Sequence, residues 1–181
     1  MRRSLNEIEA GIKKAASGAG WPAGVADDIG RAAAIMAGSG GDGVGAVIAV
    51  LAQDQTVTIA TRGRDAQAGD MAVIANAIAG FDLLGGAVVD QVTFAANSGI
   101  ELLGAFGVVA GADQALGFEI SQSGSEYIAT RAAQHAPELA DGAEVSDALW
   151  KQVTDLVAKT FVPASEESRL TGAGAGTTDN D

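Results

Sequence analysis

With only five Phe, two Trp and one Tyr in 181 residues, this chain has to fill its interior with Ala, Val, Ile and Leu. Small side chains leave room for elements to approach closely, and the 25 glycines, about twice the usual share, point the same way. No Gly-X-Y period accompanies them, so a collagen helix is excluded. Hydrophobic residues make up 48% and charged residues 19%, which rules out disorder for the bulk of the chain. The length suits one globular domain, expected over residues 1–163, followed by a glycine-rich C-terminal segment over 164–181.

Eleven basic residues against 23 acidic ones leave a formal charge of −12. Between Asp65 and Arg131 there is no Lys or Arg, while Asp70, Asp82, Asp90, Glu101, Asp113, Glu119 and Glu126 all fall there. Nucleic-acid backbones must be neutralised by clustered cations, so nucleic acid is not an expected partner, and neither is an anionic membrane. With no cysteine, thiol catalysis, disulfides, cysteine-ligated zinc and iron–sulfur clusters are closed off. Arg2 and Arg3 are followed by Asn6, Glu7 and Glu9 rather than by the apolar run of a signal peptide. The expectation is a soluble, cytoplasmic protein.

Ser4-Leu-Asn-Glu7 is a capping box, and Leu5, Ile8 and Ile12 then recur at helical spacing, predicting a helix over Ser4–Ser17. A second helix, Ala23–Ala37, sets Val25, Ile29, Ala33 and Met36 on one face, with Asp27, Asp28 and Arg31 mainly on the other. Val44, Val47, Ile48 and Leu51 suit a third, although their β-branching also allows a strand. Beyond it the pattern predicts a strand at Thr56–Thr61, a helix at Met71–Leu84, a strand at Val89–Ala95, a helix at Ile100–Leu116 and a strand at Phe118–Ser121. Tyr127–Thr130 can pair back through a turn at Ser123-Gly124, and Ser146 caps a last helix carrying Leu149, Val153, Leu156, Val157 and Phe161. The class is α/β, or α+β: an N-terminal helical layer on a short mixed sheet, one βαβ-like unit over Val89–Ser121, and a C-terminal helix.

Motifs for chemistry are sparse. Gly38, Gly40 and Gly43 match G-x-G-x-x-G, but a helix precedes them where a dinucleotide site needs a strand, so they make an inter-helix loop. His135, the sole histidine, sits in Ala-Ala-Gln-His-Ala-Pro with no nucleophile elbow around any serine. Adjacent acids such as Asp27/Asp28 diverge on a helix, which favours a solvated face over a metal site, and no cofactor is indicated. The segment Ser165–Asp181 stands out: Arg169 is the one cation after Lys159, and Gly172, Gly174 and Gly176 alternate before Asp179 and Asp181. Small and polar composition at a terminus normally indicates a disordered tail; against that reading, a guanidinium can fork onto a carboxylate or phosphate, and alternating glycines allow close backbone approach.

The opening Ser4–Glu9, the stretch Lys14–Trp21 and the ending Ser168–Asp181 together resemble a bacterial family catalogued as a domain of unknown function. The resemblance implies that the C-terminal segment is a family feature; it brings no activity, cofactor or catalytic residue. Two readings follow. In one, Arg169, Gly172, Gly174, Gly176, Asp179 and Asp181 bind or help to transform a small anionic metabolite. In the other, the segment docks on a neighbouring subunit or partner, in a homo-oligomer for instance, without catalysis. Small residues such as Gly104, Gly107 and Gly111 along one helix suit close packing in either case.

Overall fold

Ser4 and Glu7 form the reciprocal cap that the opening predicts: Ser4 Oγ accepts from the Glu7 N–H at 3.2 Å, and the Glu7 carboxylate accepts from the Ser4 N–H at 2.9 Å. The structure is a computed structural model describing residues 1–70, 72–95 and 99–160. A short strand β1 (Arg2–Ser4) leads into helix α1 (Leu5–Gly18), which buries Ile8, Ile12, Ala15 and Ala16. Pro22, whose ring pre-sets a helical entry, precedes α2 (Ala23–Gly38). Helix α2 is buried well beyond its expected face, at Ala26, Ile29, Gly30, Ala32, Ala33, Ala34 and Ala37, because it packs against α1 and two further helices. At Gly30 a Cβ would sit 2.7 Å from the Glu9 carbonyl oxygen, so α1 and α2 touch backbone to backbone there.

Gly38–Gly43 is the inter-helix loop expected, with Gly40 at φ +90°. Asp42 caps α3 (Gly43–Val50) by accepting from the Gly45 N–H at 2.8 Å. Helix wins over strand because Val44, Val47 and Val50 all bury on one side, against α2 and its neighbours. Strand β2 (Ile59–Arg62) turns at Gly63-Arg64 into β3 (Asp65–Ala68). Thr58 stops short of the strand because its N–H donates to the side chain of Asn76, at 2.7 Å. Asn76 belongs to α4 (Val73–Gly85), which is followed by β4 (Gln91–Ala95) and, after a 3-10 turn at Ile100–Leu102, by α5 (Leu103–Gln114). Then come β5 (Gly117–Ser123), β6 (Glu126–Ala132), β7 (Gly142–Glu144) and α6 (Asp147–Ala158), the last capped by Ser146.

The architecture is α/β. Among the described residues one sheet runs β2-β3-β4-β6-β5, and β1 and β7 form a separate antiparallel pair. Strands β3 and β4 are adjacent and parallel, joined across α4: a βαβ unit that the sequence reading lacks because β3 is too short and alanine-rich to be seen. The expected unit over Val89–Ser121 exists in split form, with β6 inserted antiparallel between β4 and β5. Helices α4 and α5 cover one face of the sheet, burying Ala66, Val92, Phe94 and Ala129. The other face carries the registered row Gln67, Thr93, Ile128 and Ser121. Phe81 of α4 stacks at 4.9 Å from Phe118 and 6.2 Å from Phe94, so three of the few aromatic rings meet where helices and sheet join. Helix α6 packs on α1, and the Arg3 guanidinium lies 4.5 Å above the Trp150 ring.

Candidate functional site

The residues singled out for ligand binding, Arg169, Gly172, Gly174, Gly176, Asp179 and Asp181, lie outside the described residues, as does Phe161. His135 is exposed and lines a groove of about 210 Å³ that runs past Gly104, Gly107 and Gly111 of α5. The glycine stripe therefore does not close onto another helix along its whole length. Among the described residues lining that groove no side chain joins His135 as a nucleophile or orienting carboxylate, and no group of three acids or histidines among the described residues is spaced to hold a metal ion.

A second concavity lies between α2 and α4. Both helices pack on α5, and the space left between them is a groove of about 270 Å³ walled by Trp21, Val25, Val57 and Ile78. The Trp21 ring is buried and held by its own indole N–H, which donates to the Leu51 carbonyl at 2.9 Å. Val57, by contrast, is 52% exposed, one of the few large apolar side chains left to solvent. Two polar groups enter the groove, the Gln55 amide and the Asp82 carboxylate. Asp82 is exposed and has no hydrogen bond or ion pair among the described residues, while partial desolvation by the neighbouring wall raises its pKa.

Past Ile78 and Asp82 the groove continues into a smaller cleft of about 70 Å³ at the α2–α5 contact, also lined by Asp28, Asp113 and Phe106. Arg31 spans this end: its guanidinium forks onto Asp113 at 2.8 and 3.0 Å and lies 3.6 Å from Asp28. The fork holds the Asp113 carboxyl below the usual range. Asp28 goes the other way. Burial raises its pKa, and the charges of Asp113, Asp27 and Asp82 add to the rise against the pull of Arg31. Asp27 turns aside to pair with Lys13 of α1, so the adjacent acids diverge as the helical geometry requires. Among the described residues three carboxylates thus line one trench, with Arg31 as the cation beside them. An apolar floor with an acidic rim is suited to an apolar group that carries positive charge.

Sequence reasoning missed this site. Val57 looks like strand, Trp21 like core, and Asp82 like one acid among many; what distinguishes Asp82 is that it is the only charged residue in α4, whose run Val73–Gly85 is otherwise apolar apart from Asn76. A family model described as a protein of unknown function (DUF3726) matches residues 3–73. That span takes in the resembling stretches Ser4–Glu9 and Lys14–Trp21 and, within the groove, Trp21, Pro22, Val25, Gln55 and Val57, but not the wall from α4. No curated protein and no solved structure matches the chain.

Proposed function

We propose that this chain is a binding module whose working surface is the α2–α4 groove, and that its ligand is an apolar group or peptide segment bearing a cation. The observation that carries the reading is an Asp82 carboxylate, without a partner among the described residues, that lines one groove with Trp21, Val25, Ile78 and an exposed Val57. Burying apolar surface supplies affinity, at roughly 25 cal/mol per Å², and the carboxylate selects charge and orientation. The groove contributes one titratable group, which suits holding a cation better than relaying protons.

Phenethylamine and phenylpropionate share a ring and differ in charge, so they separate the possibilities. The amine should raise the melting temperature of the full chain, and Asp82→Asn should reduce its affinity about tenfold, the loss of one charge-assisted contact. The other reading, in which Arg169, Gly172, Gly174, Gly176, Asp179 and Asp181 take a small anion, rests on the sequence. It gains the field if only the carboxylate binds and Arg169→Ala abolishes that binding.

A further inference from the structure

Where the chain leaves the described residues bears on what fills this groove. Helix α6 ends at Ala158, and Thr160 closes it through an N–H bond to the Val157 carbonyl. At this end α6 presses so closely on α1 that a Cβ on Gly18 would collide with the Leu156 carbonyl and touch Thr160. Gly18 is three residues from Trp21, and Gly20 in between lies beside Gln55, so Thr160 stands near the Trp21 end of the groove.

We propose that the groove's occupant is the C-terminal segment of the same chain, with Phe161 and Val162 on the Trp21–Val57 wall and Arg169 against Asp82. The proposal rests on the reading of the groove given above. Three features support it. The composition fits, since Phe-Val-Pro follows Thr160 at once and supplies the apolar part. The charge fits, since Arg169 is the one cation after Lys159 and Asp82 is the carboxylate of the trench without a partner among the described residues. The reach fits as well. Arg169 is nine positions beyond Thr160, an extended span of up to about 30 Å, against about 10 Å along α4 from Ala75 to Asp82 at 1.5 Å per residue. A volume of about 270 Å³ holds one or two side chains of such a segment rather than a whole helix.

The chain has no cysteine, so engineered pairs can be trapped in the full-length protein without background. Ala79, one turn before Asp82, lines the groove, and Ala79→Cys with Leu170→Cys should oxidise to an internally bridged monomer. Leu139→Cys with Leu170→Cys is the control. Leu139 is 41% exposed and packs at Gly38, the far end of α2 and about 20 Å or more from the groove by helix length. The expected yield is at least about tenfold above that control. Within the trapped pair, Asp82→Arg or Arg169→Asp alone should cut the yield about tenfold, and the two together should restore it. In the chain without cysteines, Arg169→Ala should bind phenethylamine several-fold more tightly, because the competitor is released. A disulfide-linked dimer as the main product would assign the groove to a second copy, and a yield no better than the control would leave it without this segment; either result overturns the proposal. If phenethylamine still binds through Asp82 in that event, equally in the wild type and in Arg169→Ala, the groove reading stands and the ligand comes from outside. If the amine does not bind Arg169→Ala either, the groove reading fails too.

Discussion

Asp28 shows how one residue can carry opposing terms. On the sequence it belongs to a solvated acidic pair; in the structure it lies half-buried between Arg31 and the charges of Asp27, Asp82 and Asp113. Its pKa is raised in the folded state, so the native protein takes up a proton that the unfolded chain still lacks. Stability attributable to Asp28 therefore rises as pH falls from above the raised value towards the ordinary aspartate value of 3.8. Asp113 and Asp90, held low by Arg31 and Arg64, act in reverse and lose stability as pH drops below that same ordinary value. Asp28→Asn should remove the penalty while leaving the Arg31–Asp113 fork intact. The expected outcome at pH 7 is a gain of up to about 1 kcal/mol, with a flatter profile of melting temperature between pH 7 and 4. An unchanged slope would show that Asp28 does not titrate in that window.

At the scale of elements, local signals place starts and types well and mutual packing poorly. The capping box at Ser4, the proline at α2 and Ser146 before α6 each depend on two or three neighbouring residues, and each is readable along the chain. The burial of α2 well beyond one face is not, since it depends on which helices arrive beside it. Glycine positions test that packing. Gly30→Ala puts a methyl 2.7 Å from the Glu9 carbonyl and 3.1 Å from the Lys13 Cβ, so backbone must move. It should cost about 1–2 kcal/mol, overpacking outweighing the better helix propensity of alanine. Gly24→Ala, on the same helix with open space around it, should instead stabilise by up to about 1 kcal/mol. Urea midpoints at constant m-value measure both, and equal shifts for the two would refute close α1–α2 contact.

Across the whole molecule, the formal charge of −12 sets the long-range field, and no salt-sensitive complex with DNA or RNA should form at micromolar protein near physiological ionic strength. A gel shift that weakens steeply with added salt would contradict this. No helix among the described residues is long and apolar enough to cross a membrane. The class, the helical layer, most elements and the aromatic-poor core were legible because they follow from composition, periodicity of 3.6 or 2, and caps a few residues long. Strand β3, the insertion of β6 between β4 and β5, and the pairing of β1 with β7 were not, because four alanine-rich residues or three polar ones become strand only when a partner edge is beside them. The groove belongs to the second kind. Trp21, Val57 and Asp82 are separated by 36 and 25 positions, and no spacing rule joins them. They meet because α2 and α4 both pack on α5 and leave a gap, and the exposure of Val57 and the lack of a partner for Asp82 among the described residues exist only once that gap does. What the chain by itself determined is the set of short-range choices; the juxtaposition of distant side chains, where the proposed binding chemistry resides, was decided by tertiary packing.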